Sequence, residues 1–296
     1  MSLFCDTALA GRIERAEAQL MAAASEAAHR RAAAGAVTGT AGATVAPSPA
    51  GFVIPVAGGV ASFAEDGSPF NKVAGLGFGG VPAPGELEEI ERAFAACGAP
   101  VQVELAHLAD PAIGALLTGR GYRLVSFENV LGLALEDQPE PVRPAGVEIR
   151  RGGDLGPWLE AVAEASSHPD TEGVPSHEEF PRELIENAER DLVAAGATPY
   201  LALRDGAVAG GASLRLAEGG VAQFTGAATL PAHRRRGVQT ALLAARLADA
   251  AAAGCDIAVV TTQPGSKSQQ NVQHRGFDLL YTRAILPHDP VAKPVV

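Results

Sequence analysis

The sequence predicts an α/β chain of the α+β kind, built as two tandem domains that each carry a mixed, mostly antiparallel sheet flanked by helices. Three observations lead there. Short apolar runs of strand length alternate with Ala-, Leu- and Glu-rich stretches of helical length, in the same order twice. The last strand of each series opens on Arg-Gly-aromatic, as Arg120-Gly121-Tyr122 and again as Arg275-Gly276-Phe277, which marks an internal duplication. Between the two series, Glu136 to Gly146 holds three prolines and almost no large apolar side chain, the composition of a linker. The boundaries follow: a first domain over 1–136, a linker over 137–146 and a second domain over 147–296.

In the first half, Asp6 to Ala34 places Leu9, Ile13, Ala16, Leu20 and Ala24 at helical spacing, one long helix or two. Gly35 to Gly51 reads as a loop. Phe52–Val56 and Val60–Phe63 are strands joined through Gly58-Gly59, and Lys72–Phe78 is a third. A helix over Glu86–Cys97, a strand over Val101–Leu105, a helix from Asp110-Pro111 to Gly119 and one or two strands over Leu124–Leu135 complete it. The second half repeats the series. Val147–Arg150 is a strand and Asp154–Ser166 a helix with Trp158 and Val162 inward; Ser176 caps a helix over Glu178–Ala195. Tyr200–Arg204, the turn Asp205-Gly206 and Ala207–Leu216 make a hairpin. Strand Val221–Thr229, helix Val238–Ala253, strand Asp256–Thr261, helix Ser268–His274 and strand Leu279–Leu286 end the chain.

Composition narrows the function. Of 296 residues, 47% are hydrophobic and 19% charged, enough for a sizeable core. A net charge of −11 and a pI of about 5.1 argue against a nucleic-acid partner. Cys5, Cys97 and Cys255 are far apart and form no CxxC, which fits a reducing compartment and excludes a zinc site. No apolar run is long enough for a membrane span, so the expectation is a cytoplasmic protein, monomer or homodimer, with no membrane partner.

Against the acidic background, Arg234, Arg235 and Arg236 stand together in a tight turn before Gly237 and a helix. A strand that feeds through such a turn into a helix aims several backbone N–H groups at one point, where the helix dipole adds partial positive charge. That is an anion site suited to a phosphate or diphosphate. Replacing Gly237 with Asp is expected to abolish it by bulk and charge while leaving the fold intact.

Arg234-Arg-Arg-Gly237-Val-Gln239 is similar to the Arg/Gln-x-x-Gly-x-Gly/Ala loop of the GNAT superfamily of acyl-CoA-dependent N-acyltransferases. Pro231 after the preceding strand, and Ser266 to Asn271 leading to Gly276-Phe277, resemble further motifs of that family. The resemblance covers about 146–287, and the first half is similar to a worn copy. It implies that acetyl-CoA is the co-substrate, with no metal, and that a small-molecule or peptide amine accepts the acetyl group. It also implies residue roles. Ala228, Thr229 and Leu230 meet the pantetheine, Arg234, Arg235, Arg236, Gly237, Val238, Gln239 and Thr240 cradle the phosphates, and Asn271 is a further pantetheine contact. A backbone N–H near Leu230 polarises the acyl carbonyl.

Two positions depart from the family pattern. Gln223 stands where many relatives carry a glutamate base, and Val272 where many carry a tyrosine acid. Tyr281 and Ser268 are the candidate replacement acids, with Tyr281 favoured because a phenol is the stronger acid. His168 and Glu172, in a loop with Asp170 and His177, and Gln223 itself are the candidate acceptor contacts. The alternative function is a non-catalytic acyl-CoA-binding or regulatory module. In the first half, Gly75-Leu-Gly77-Phe-Gly-Gly80 fits a dinucleotide pattern, but Pro82, Pro84 and Gly85 delay the helix past the point where it could hold a diphosphate.

Overall fold

A computed structural model describes residues 3–38, 50–136, 144–168, 174 and 180–289. The chain forms two compact units that do not follow chain order. The first holds 6–127 with 282–296, and the second holds 128–281 with 1–5. The last strand of each half has therefore changed places. The linker expected over 137–146 falls within the sequence of the second unit, and its residues 137–143 lie outside the described ones.

In the first unit, one helix α1 (Thr7–Thr38) runs on through the start of the expected loop. Strands β1 (Phe52–Val56) and β2 (Gly59–Phe63) pair antiparallel, with Val56 opposite Gly59. The turn is thus Ala57-Gly58, both at positive φ, one residue earlier than the glycine pair suggested. Gly59 opens the strand, and only glycine fits there because a Cβ would stand 2.3 Å from the Ala74 carbonyl oxygen. Strand β3 is only Lys72–Ala74. The chain then turns left-handed at Gly75 and Gly77, and the N–H groups of Gly77 and Gly79 bond to the Ala57 carbonyl at 3.2 and 2.9 Å. The glycine run that mimics a dinucleotide motif is spent folding back onto the hairpin turn.

Helix α2 (Pro84–Ala96), strand β4 (Val101–Ala106) and helix α3 (Pro111–Gly119) follow, the last capped by Asp110 on the Ala112 N–H at 2.9 Å. Beside β4 the sheet is completed by the C-terminal strand, β11 (Asp278–His288), whose residues from Thr282 on belong here; Arg283 pairs with Ala106 and His288 with Val101. The core gathers Phe63, Leu87, Ile90, Phe94, Ile113 and Leu117. One cluster of charge is buried within it. Arg283 lies 2.8 Å from Glu14 and 3.8 Å from Glu104, and Glu104 lies 2.5 Å from Lys72. Burial pushes the Glu104 carboxyl up, but Lys72 and Arg283 outweigh it and hold the group below the usual carboxylate range.

The second unit is a sheet in the order β5-β10-β9-β8-β7-β6. Its members are β5 (Ser126–Ala134), β6 (Val147–Arg151), β7 (Thr198–Arg204), β8 (Ala207–Leu216), β9 (Val221–Thr229) and β10 (Ile257–Thr262). All neighbours are antiparallel except β10 and β9. Helices α4 (Leu155–Ser167) and α5 (Arg182–Ala194) cover one face, and α6 (Val238–Ala252) covers the other. Alternation along β7 shows this: Leu201 packs with Trp158 of α4, whereas Tyr200 and Ala202 pack with Val238 and Leu242 of α6. Helix α7 (Lys267–Gln273), capped by Ser266 on the Gln269 N–H, precedes β11. The helix start expected at Ser176 lies outside the described residues. Among the described residues no helix is long and apolar enough to cross a membrane.

Candidate active site

Strands β9 and β10 run parallel from Val221 opposite Ile257 only as far as Phe224 opposite Val260. Beyond that, β9 continues to Thr229 and β10 to Thr262 without pairing to each other. The strands part because β9 bends. Its register against β8 shifts after Thr225, where Gly226 adopts a φ of +58. A bulge adds a residue to one strand and turns it from its neighbour. Arg246 of α6 meets the carbonyls left near this bend, donating to Ser213 O at 3.1 Å and Thr225 O at 3.5 Å while its guanidinium lies 4.7 Å above the Phe224 ring. Burial pulls its pKa down to about 10.

The parted strands open a cleft of about 590 Å3, within the usual range for small-molecule sites. Its walls include Ala165 and Ser166 of α4 as well as Leu243 and Arg246 of α6, so it passes through the sheet from face to face. At its α6 end, β9 runs through the short turn Pro231–His233, then Arg235 at a φ of +61 and Gly237 at +81, into α6. Left-handed residues alternating with ordinary ones point successive N–H groups inward. Val238, Gln239 and Thr240, as the first residues of α6, have no intrahelical acceptor for theirs. Arg234, Arg235, Arg246, Lys267 and Arg275 line the cleft, and among the described residues no Asp or Glu does.

The cleft brings together Ala228, Thr229, Arg234, Arg235, Gly237, Val238, Gln239, Thr240, Ser268 and Asn271 of the residues singled out in the sequence. The Gln239 side chain donates to the Thr229 hydroxyl at 2.8 Å, folded back along the strand end. Arg236 is not on the cleft wall; its carbonyl accepts from Arg204 at 2.9 Å. Leu230 is also off the wall, and its N–H is committed to Ala209 O at 3.0 Å, so it is not the donor that polarises a carbonyl. Gly237 sits 2.8 Å, measured from a built Cβ, from Pro144, so any side chain there disturbs the turn itself and the fold is not left intact.

The remaining candidates lie elsewhere. Tyr281 is 1% exposed within the sheet core and does not line the cleft, whereas Ser268 does, together with the hydroxyls of Ser166, Thr229, Thr240, Thr261, Thr262 and Ser266. Strand alternation decides the place of Tyr281: an odd step along β11 puts the phenol inside. Gln223 is buried on the α4–α5 face, where its amide oxygen accepts from Arg215 at 2.7 Å. His168 ends α4 with its ring exposed against the Glu164 carbonyl at 3.1 Å, and its own carbonyl accepts from Arg234. Glu172, Asp170 and His177 lie outside the described residues. Sequence reasoning missed Arg246 and Arg275, single basic residues in helical context. The first is betrayed only by standing in the apolar stripe of α6. The second reaches the Thr240 hydroxyl at 2.7 Å from the end of α7.

Comparison with known proteins agrees with this geometry. Residues 159–277 match the family model of the acetyltransferase (GNAT) family. The fold is similar to that of a GCN5-related N-acetyltransferase from Kribbella flavida, with a TM-score of 0.61 and 23% identity over 83% of this chain and 91% of that one. It is also similar to a tandem GNAT protein from the clavulanic acid biosynthesis pathway, with a TM-score of 0.57 and 16% identity over 94% and 95% of the two chains. No curated protein matches significantly. The chain thus has the fold of two tandem GNAT-like domains, and its residues 159–277 match the model of the GNAT acetyltransferase family.

Proposed function

We propose that this protein transfers an acetyl group from acetyl-CoA to the amine of a small molecule or peptide. The observation that carries this reading is a cleft between parting strands that ends on a left-handed turn and a helix N-terminus, lined by five Arg and Lys residues and no described carboxylate, in a chain of net charge −11. Such a site selects a polyanion with an apolar stem. Bound there, acetyl-CoA supplies the activated acyl carbon and a thiolate leaving group.

The chain's own residues supply the rest. The N–H groups of Val238, Gln239 and Thr240, with Arg234 and Arg235, hold the diphosphate, and Arg275 and Lys267 add charge at the α7 side. Asn271 and the edge at Ala228 and Thr229 hold the pantetheine. A backbone N–H group at the bulge, of Gly226 or Ala227, polarises the carbonyl in place of Leu230. Ser268 donates a proton to the departing sulfur. With three free thiols at Cys5, Cys97 and Cys255, a reducing cytoplasm suits the protein.

Two variants test the roles. Arg235→Glu removes a charge-assisted contact worth about 1.5–3 kcal/mol, so acetyl-CoA affinity should fall roughly 10–100-fold by calorimetry. Ser268→Ala should keep that affinity and lose up to ~10²-fold in CoA release with an accepted amine. Full turnover in Ser268→Ala gives the proton transfer to water. The commitment of Gln223 to Arg215 favours one other reading, a module that binds acyl-CoA without turnover. Steady CoA release with any of a panel of primary amines excludes it, and tight binding with no release against the whole panel establishes it.

A further inference from the structure

Glu189 is a buried acid, beside Asp191 on the same helix, that the site above does not use. It stands on α5, 9% exposed, and its Oε2 has no hydrogen-bond partner. It falls within the apolar stripe of that helix, between Ile185 and Leu192, where a carboxylate is costly unless it serves a purpose. The carboxylate lies against the bare α-carbon of Gly226. A Cβ built there would stand 2.8 and 2.9 Å from its two oxygens. Gly226 is the residue at which β9 bends, and the next residue, Ala227, is cleft wall. Glu189 thus reaches the bulge from the α4–α5 face, the same face on which Gln223 is occupied by Arg215.

We infer that Glu189, which stands behind the cleft wall beside Gly226, is the base that takes the proton of the acceptor amine through a water, delivered from α5 instead of from β9, and that the acceptor is therefore a cationic amine whose ammonium enters near Ala227. This rests on the acetyltransferase reading. In the step, the amine nitrogen forms a C–N bond to the acyl carbon and the C–S bond breaks. The ammonium first gives one proton to the Glu189 carboxylate, which frees the lone pair for attack; the second nitrogen proton passes through Ser268 or water to the thiolate, and the products are an amide, free CoA and protonated Glu189. Burial pushes the Glu189 carboxyl up to about 7, which suits a base working at neutral pH. Of the charged groups on the elements packed around it, Glu160, Glu164, Arg182, Glu183, Glu186, Arg190, Asp191 and Arg215, none contributes to that shift.

The test compares the full chain with Glu189→Gln, which keeps shape and volume. Acetyl-CoA affinity, measured first, should be equal in both; no binding to either overturns the acetyltransferase reading and not the role of Glu189. CoA release is then followed with n-butylamine and with hydroxylamine, a nucleophile that needs no base at neutral pH. With n-butylamine the native protein should gain rate as pH rises through about 7, and Glu189→Gln should lose that limb and ~10²–10⁴-fold in rate. The hydroxylamine rate should survive the substitution. If neither protein turns over n-butylamine, its binding to the CoA-loaded protein is the readout: loss in Glu189→Gln supports the assignment and equal binding overturns it. An unchanged n-butylamine rate or pH profile overturns it outright. A structural role alone would alter neither the profile nor the contrast between the two nucleophiles.

Discussion

A chain cut to residues 144–296 is expected not to fold, although it contains the whole segment that matches the family. The reason lies in the exchanged strand. Strand β5 comes from the first half of the sequence, yet it pairs with β10 at six positions, from Ala134 opposite Ile257 to Asn129 opposite Thr262. It also carries into the second core Leu131 and Leu133, with Leu135 just past its end, all buried with Ala258, Val272 and Phe277. Each buried leucine contributes about 1.5–3 kcal/mol. Three of them approach the ~5–15 kcal/mol that holds an ordinary domain together, before the bared edge of β10 is counted. The cut chain should lack cooperative unfolding in urea and should aggregate. A chain starting at Ser126 regains β5 and should recover a cooperative transition in this unit. A stable, cooperative 144–296 fragment would show that β5 is dispensable.

Arg283→Ala should cost about 3–5 kcal/mol, the penalty of breaking a buried ion pair from one side. Arg283 is 1% exposed, as is the Glu14 carboxylate 2.8 Å from it, and that carboxylate would stay buried without the guanidinium. Glu104 keeps Lys72 at 2.5 Å, so the damage should centre on Glu14. The double change Arg283→Met with Glu14→Leu removes both charges and should recover most of the loss, because apolar groups of similar volume often replace buried pairs at little cost. Urea midpoints of the three proteins decide it. If the double variant is no better than Arg283→Ala, the pair is not the source of the loss.

A pH effect follows from Glu189 as well. Its folded pKa is raised to about 7, so the native state binds that proton more tightly than the unfolded chain. The stability it contributes is present below the ordinary carboxylate range and is lost as pH rises through about 7. Glu189→Gln should remove this fall and be the more stable protein in alkali, the usual trade of stability for function.

The fold was largely legible because its signals are local. The element series, the cap at Asp110 and the turn before α6 follow from spacing and from residue types that only certain backbones accept. The exchange of β5 with the end of β11 was not legible, since both strands keep the same local pattern whichever sheet they join. Pairing across more than a hundred residues leaves no mark in either. The length of β3 was misjudged because Gly75 and Gly77, read as part of a strand, take positive φ. In the site, the arginine turn announces itself, whereas Glu189 shows only as one charge in the apolar stripe of α5. Tyr281 seemed the better acid by chemistry, and alternation along β11 put it in the core.

The central claim is that the basic cleft of the second half alone holds acetyl-CoA. Isothermal calorimetry of the full chain with acetyl-CoA tests it most directly. One site per chain is expected, lost when Arg234 and Arg235 are both changed to Glu, because among the described residues the first half has no comparable turn, and its Gly79 to Gly85 carries no basic residue. Two equivalent sites per chain, or unchanged binding by the double variant, would contradict it.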